Sequence, residues 1–457
     1  MLTKNIILNT DSYKASHFKQ YPPGTTQVTS YIEARRGGKF DRTVFFGLQM
    51  FLQDYMQTPV TMAMIDEAEA FFKAHGEPFN REGWEYIVET YKGYLPVKIE
   101  AVPEGTVVPT GNVLVQIHST DKNCVWLTSY LETALLRAVW YPSTVATVSW
   151  HAKQIILDAL VRSSDDPVGQ VSFKLHDFGA RGVSSNESAG LGGAAHLVNF
   201  MGSDTVEGVR YANHYYKAGM AGFSIPAAEH STIISWGRAG ERDAYANMLK
   251  QFGDGLVAVV SDSYDLRNAV EKIWGDALHS EVMKMKGMLV VRPDSGDPVT
   301  VVLETVTGLA KSFGYTVNKK GFRVLNRVRV IQGDGINLTS IGDILEALLG
   351  AGYSADNIAF GMGGQLLQGI NRDTIRWAMK CNQITINGEV RKVSKNPATD
   401  PTKASKSGKL MLVRDLGRLV TIPWNEFDKN ELIPVYENGT IYETTTFDEV
   451  RARAAVA

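Results

Sequence analysis

"GLVAVVSDSYDLRNAVEKIW", residues 255–274, decides the architecture. Its opening apolar, valine-rich run reads as a short buried strand. "SDSYD" then breaks the run with small and acidic residues, and "LRNAVEKIW" resumes with apolar residues at helical spacing. The same rhythm recurs along the chain. Apolar runs ending in polar or glycine loops appear as "VSFKLHDFGARG" (171–182), "HLVNFMGSDT" (196–205), "GFSIPAAEH" (222–230), "MLVVRPDSGDP" (288–298), "VRVIQGDG" (328–335) and "NIAFGMGG" (357–364). Helical segments such as "VEGVRYANHYY", "ERDAYANMLKQF" and "SIGDILEALLGA" stand between most of them. Strands alternating with helices predict a parallel sheet. Seven units predict a closed or nearly closed parallel α/β barrel over residues 166–384, in preference to an open doubly wound sheet.

The flanks read differently. In "QVTSYIEAR" (27–35) and "LPVKIEAVPEGTVVPTGNVLVQIHS" (95–119), short β-like runs alternate with turn residues, which predicts antiparallel pairing. "ITINGEVRKVS", "KLMLVRD" and "RLVTIPW" near the other end have the same hairpin character. Residues 1–165 and 385–457 are therefore expected to form one β-rich α+β domain from both chain ends. Between "VWLTSYLETALLRAVW" and "VATVSWHAKQIILDALV", the "YPS" at 141–143 predicts a break between two long helices.

Composition narrows the function classes. The chain has 457 residues, with 47 Lys+Arg against 49 Asp+Glu and a formal charge of -2, so no global field attracts nucleic acid or an anionic membrane. Two distant cysteines, Cys124 and Cys381, make neither a disulfide framework nor a zinc spacing. The opening "MLTKNIILNTDSYK" carries no apolar run of signal-peptide type, and no stretch is long enough to span a bilayer, so a cytoplasmic protein is expected.

In a parallel barrel the loops leaving the strand C-termini meet on one face, where chemistry is built. Here they carry His176, Asp177 and Arg181; Asp204; Glu229 and His230; Asp262 and Asp265; Arg292, Asp294 and Asp297; Asp334; and Gly361, Gly363 and Gly364. Arginines and a histidine suit a polyanion, carboxylates suit sugar hydroxyls or Mg²⁺, and glycine loops let backbone N–H groups approach a phosphate. Together they point to a phosphorylated sugar. Taken singly, an Asp after a strand is as readily the cap of the next helix. "GLGGAA" (190–195) fits a dinucleotide fingerprint, but it sits among helix formers rather than directly after a strand, which argues against one.

"TDSYKASHFKQYPP", "HDFGARGVSS", "GSDT", "SIPAAEHSTI", "VVSDSYD", "RPDSGDP", "IQGDG", "AFGMGG" and the late "TFDEV" together resemble the nicotinamide phosphoribosyltransferases, in the same order and over essentially the whole chain. The resemblance implies the type II phosphoribosyltransferase fold and a head-to-tail homodimer with shared active sites. It also implies condensation of nicotinamide with phosphoribosyl pyrophosphate, with Mg²⁺ as cofactor and ATP as an optional coupled substrate through a phosphorylated His230. By the same resemblance, Phe178 and the partner's Tyr13 sandwich the pyridine ring and Asp204 accepts from the carboxamide. Arg181, His230 and Arg292 hold pyrophosphate. Asp294, with Gly333 and Asp334, forms the ribose site, and Pro293 is a further substrate-binding residue. Gly363, Gly364 and Arg372 cradle the 5′-phosphate, with Arg35, Lys380 and Lys395 contributing across the dimer. Asp262 and Asp294 approach Mg²⁺ through water, and His230, Arg292 and Asp294 are the residues expected to carry catalysis. Ala258 and Ala180 depart from vertebrate members, which carry a serine and a bulkier aromatic there, so a wetter or looser amide pocket is expected.

The rival within this chemistry is a nicotinate phosphoribosyltransferase. Asp204 argues against it, because an anionic side chain repels a carboxylate and accepts from an amide. An aldolase-like barrel would want a lysine at the mouth, and the seven strand ends have none. A non-catalytic binding protein would not need this set of charged residues.

Overall fold

The computed structural model describes residues 4–396, 404–442 and 444–455. They form two compact units. One takes the chain up to Thr147, the excursion His214–Ala218 and everything from Ile370 on; the other takes Val148–Asn213 and Gly219–Gly369.

The second unit is built on six parallel strands, β1 (Leu175–Asp177), β2 (Gly202–Ser203), β3 (Leu256–Val260), β4 (Met288–Arg292), β5 (Val328–Gln332) and β6 (Ile358–Met362). Their order is β2-β1-β6-β5-β4-β3. Residues 223–228 close the gap between the two edges. Ser203 N–H donates to the Phe223 carbonyl, and Ala258 N–H to that of Pro226. Single parallel bridges, Gly202 with Phe223 and Ala227 with Ala258, complete the ring. The seventh stave is irregular because Pro226 has no N–H to give a ladder. Each of the seven loop-ending runs of the sequence thus supplies one stave of a closed parallel ring.

Helices follow the strands, and their starts are capped by the loop residues. Asp265 Oδ1 accepts from Asn268 N–H at 2.9 Å, Asp297 Oδ1 from Thr300 N–H at 2.9 Å, and Asn337 opens a capping box on Leu338–Gly350. "GLGGAA" lies inside the helix Asn186–Leu197. A Cβ on Gly193 would come within 2.8 Å of Gly208 Cα, so these glycines serve close helix packing and not a dinucleotide.

The first unit holds a seven-stranded sheet. Thr25–Ala34 runs antiparallel to Val113–Ser119 on one side and to Trp377–Ile386 on the other, and Val97–Ala101 pairs with Ile433–Glu437, so both chain ends share one sheet. Asn387-Gly388 and Asn438-Gly439, all at positive φ, make the tight hairpin turns that this dipeptide favours. Two helices, Met62–His75 and Arg81–Tyr91, lie between the β runs at 27–35 and 95–119. In the first of them Ile65, Ala68 and Phe72 are buried at helical spacing, and Thr61 caps it. The expected break at "YPS" is absent. Glu132–Ser163 is one helix with Pro142 inside it. A proline costs about 3 kcal/mol in a helix interior, but here both flanks are buried. Val139, Val145 and Ala146 are fully enclosed, and Ser143 Oγ exchanges two 2.9 Å hydrogen bonds with the Phe46 backbone. Among the described residues, no helix is long and apolar enough to cross a membrane.

Candidate active site

The C-terminal ends of the staves enclose an open cleft of about 960 Å³, lined among others by Phe178, Arg181, His230, Asp262, Arg292 and Asp294. Gly333, Asp334, Gly363 and Gly364 line it as well. Beneath it, Ala258, Val290 and Ile331 form an apolar layer against which Phe178, Ile225 and Ala359 pack. Ala258 is thus buried among hydrocarbon inside the ring, whereas Ala180 is exposed.

Phe178 owes its place to glycine. A Cβ on Gly361 would lie 1.9 Å from the Phe178 ring, whereas one on Gly333 would meet it at an ordinary 3.5 Å. Only a residue without a side chain lets the ring rest on β6. Phe178 N–H donates to the Met362 carbonyl at 3.0 Å, which fixes the ring's root.

The preceding Asp177 is buried. Its Oδ1 accepts from Gly179 N–H at 2.7 Å, its carbonyl accepts from Asp204 N–H at 3.0 Å, and burial pushes its carboxyl up to about 6. Burial likewise lowers the basicity of His176, whose Nε2 faces the Phe173 carbonyl at 3.2 Å. These two residues hold the loop. Asp204 follows β2, one strand over from Phe178, and is not among the residues that line the cleft; Ser224 Oγ donates to its Oδ1.

The opposite wall is a chain of hydrogen bonds across adjacent staves. His230 Nε2 lies 3.0 Å from Asp262 Oδ1, and Ser295 Oγ donates to Asp262 Oδ2. Arg292 Nη2 meets Asp294 Oδ2 at 3.2 Å, while the buried Arg292 Nε–H reaches no acceptor among the described residues and keeps donor capacity for a ligand. Asp294 sits at φ +59°, with Ser295 N–H donating back to the Pro293 carbonyl at 2.8 Å, so the chain makes a three-residue turn around it. Such backbone in a non-glycine residue costs on the order of 1–3 kcal/mol and gathers at functional sites. The sequence grouped Asp262, Asp265, Asp294 and Asp297 at one mouth. The structure sorts them into two that line the cleft and two that cap helices.

Tyr13, Arg35, Arg372, Lys380 and Lys395 belong to the other unit. Tyr13 is exposed, with the Lys14 ammonium 5.3 Å from its ring centroid. Burial lowers the Lys380 pKa. Glu132 opposes this, and Arg35, Lys395 and Arg372 reinforce it with like charge, so these basic residues form one cluster. Among the described residues, no group of three or more His, Cys, Asp or Glu is arranged to hold a metal.

Sequence reasoning passed over Ser224, Ser295 and Gln332. Each stands inside a quoted motif, but only the charged residues and glycines there drew attention. For Gln332 the signal was a lone amide ending an otherwise apolar strand.

The nicotinate phosphoribosyltransferase (NAPRTase) family pattern matches residues 173–439, and that of the nicotinamide phosphoribosyltransferase N-terminal domain matches residues 5–99. The chain is 55% identical to a nicotinamide phosphoribosyltransferase of Xanthomonas campestris, over 99% of this chain and 98% of that protein. It is 32% identical to one from Acinetobacter baylyi, over 97% and 96%. Among solved structures, a nicotinate-nucleotide pyrophosphorylase from Pyrococcus furiosus matches with TM-score 0.66 at 16% identity, over 100% of this chain and 96% of that one. Human nicotinic acid phosphoribosyltransferase matches with TM-score 0.58 at 17% identity, over 98% and 93%. These two share the fold. On the strength of the sequence matches, which run nearly end to end, the chain belongs to the nicotinamide phosphoribosyltransferase family.

Proposed function

We propose that this protein condenses nicotinamide with 5-phosphoribosyl 1-pyrophosphate to give nicotinamide mononucleotide and pyrophosphate, as a cytoplasmic pentosyltransferase of NAD salvage. The observation that carries the reading is one cleft in which an aromatic floor, Phe178 on Gly361, stands beside the cations Arg181, His230 and Arg292. The pyridine nitrogen attacks the ribose C1′ with its own lone pair as the bond to pyrophosphate breaks, so no general base is needed there. Holding the ring flat against Phe178 supplies orientation. Arg181, Arg292 and His230 meet the negative charge that grows on the departing diphosphate. Asp294 and Asp334 bind the ribose hydroxyls, and Gly363 and Gly364 leave room for the 5′-phosphate beside the backbone. In a shared-site homodimer, Tyr13, Arg35, Lys380 and Lys395 reach the partner's cleft.

Asp262 and Asp294, which line the same cleft as the cations, would hold a Mg²⁺ ion that arrives with the diphosphate and keeps its waters. Held there, it would supply charge neutralisation at the leaving group. The His230–Asp262 contact also favours the ATP-coupled reading. A carboxylate only accepts, so it keeps the proton on Nε2 and leaves the Nδ1 lone pair free to take the γ-phosphoryl group of ATP, with ADP leaving.

The test is purified protein with Mg²⁺, phosphoribosyl pyrophosphate and either nicotinamide or nicotinate, with and without ATP, and the mononucleotide identified by chromatography and mass. Nicotinamide mononucleotide as the dominant product supports the proposal. Turnover of nicotinate alone assigns the chain to the acid, and absence of either product refutes the phosphoribosyl transfer.

A further inference from the structure

Gln332 closes β5, is 0% exposed and is not itself among the residues that line the cleft, yet it is the one polar side chain in that strand's buried end. Its Nε2 lies 3.0 Å from the Asp334 carbonyl and 3.4 Å from the Asp294 carbonyl. Both amide protons are therefore spent on backbone oxygens of the two loops assigned above to the ribose. The amide orientation follows from this, because the reverse would set Oε1 against two carbonyl oxygens. Oε1 itself accepts from no described residue and is buried, which disfavours a glutamine unless its donors do something useful.

What they hold is the left-handed Asp294. A residue at φ +59° relaxes unless its surroundings fix it, and two anchors are present: the Ser295 N–H on the Pro293 carbonyl, and Gln332 on the Asp294 carbonyl. Through Ser295 the same turn reaches Asp262 and His230. Gln332 thus stands at the buried end of a network that spans the staves on the phosphate side of the cleft.

We propose that Gln332 is a positioning residue for the phosphoribosyl donor: its two N–H groups set the separation of the Asp294 and Asp334 loops, and through them the fit of ribose and diphosphate. The assignment rests on the phosphoribosyl transfer reading above. No shorter or single-donor side chain spans both carbonyls. Glutamate keeps the shape but opposes two carbonyl oxygens with a carboxylate, and methionine keeps the length and gives neither donor.

The experiment compares wild type with Gln332→Met and Gln332→Glu, measuring KM for phosphoribosyl pyrophosphate, KM for nicotinamide, kcat and Tm. Two lost hydrogen bonds on the donor side predict a KM for phosphoribosyl pyrophosphate raised about tenfold or more in both variants, with KM for nicotinamide within about twofold of wild type. A lowered Tm with both KM values unchanged, or both raised alike, marks Gln332 as merely structural and overturns the proposal. Should Gln332→Glu fail to fold, Gln332→Met decides alone, since a buried methionine fills the same volume. A wild type that forms no mononucleotide refutes the transfer reading instead, which keeps the two failures apart.

Discussion

His230 Nε2 and Asp262 Oδ1 meet at 3.0 Å, with the Asp262 side chain only 5% exposed and that of His230 45% exposed. The buried partner orients the accessible one. Asp262→Asn removes the charge that fixes the imidazole, and its amide end no longer accepts from Ser295. The expected outcome is a fall in kcat of about 10²-fold and loss of any stimulation by ATP. Mononucleotide formation measured with and without ATP checks this; equal stimulation in variant and wild type would remove the pair from the ATP step.

Arg292 brings a guanidinium to the cleft with its buried Nε–H unpaired among the described residues. Arg292→Ala is expected to lower kcat/KM for phosphoribosyl pyrophosphate by about 10²–10³-fold or more while leaving the melting transition in place. Retained activity in a folded variant takes Arg292 out of the phosphate role.

Asp204 accepts from Ser224 and retains a second carboxylate oxygen. Discrimination built on such a hydrogen bond reaches roughly 10⁴-fold in favourable cases. Asp204→Ala should shrink the ratio of kcat/KM for nicotinamide over nicotinate, and Ser224→Ala should do so less. An unchanged ratio in Asp204→Ala disproves amide reading by this residue.

Gly361→Ala would set a methyl 1.9 Å from the Phe178 ring and force it off its floor. KM for nicotinamide should rise about tenfold, the scale of 1.4 kcal/mol. KM for phosphoribosyl pyrophosphate should stay near wild type. Steady-state kinetics with each substrate varied separates the two.

Asp177 carries a folded-state pKa of about 6 because it is buried, against an ordinary 3.8. The native state therefore holds this proton between those values while the unfolded chain releases it, so the group's contribution falls as pH rises from 3.8 to 6. Above pH 6 the buried charge costs on the order of 2–3 kcal/mol. Asp177→Asn, which still accepts from Gly179, should raise Tm at pH 7.5, with the difference fading as pH drops toward 4. Melting curves across that range check it; a variant that is less stable at pH 7.5 contradicts it.

The barrel was legible because each stave wrote itself twice, as an apolar run and as the polar loop that follows. Asp262 and Asp294 could not be told from Asp265 and Asp297 by sequence. All four follow strands, and only geometry separates a side chain turned back onto a helix N-terminus from one left facing the cleft. Pro142 misled because a local rule forbids what burial on both sides of the helix permits. The helices Met62–His75 and Arg81–Tyr91 were lost between stronger β signals. The pairing of Thr25–Ala34 with Trp377–Ile386 joins residues more than three hundred positions apart, and their spacing alone does not fix its register. Gln332 was invisible as a functional residue because its partners are carbonyl oxygens, which every residue has.

The stave made by residues 223–228 is tied to its neighbours by single bridges, whereas the other six stand in ladders of fixed register. It also carries Ser224 and Ile225, beside Asp204 and the apolar layer under the cleft. Changing one residue's worth of length in a laddered strand would flip every side chain beyond it to the other face. In this stave the shift stays local. On the proposed reading, in which Asp204 meets the ring substituent, this stave is thus the part of the ring that selection or an engineer can recut while the other six keep their register.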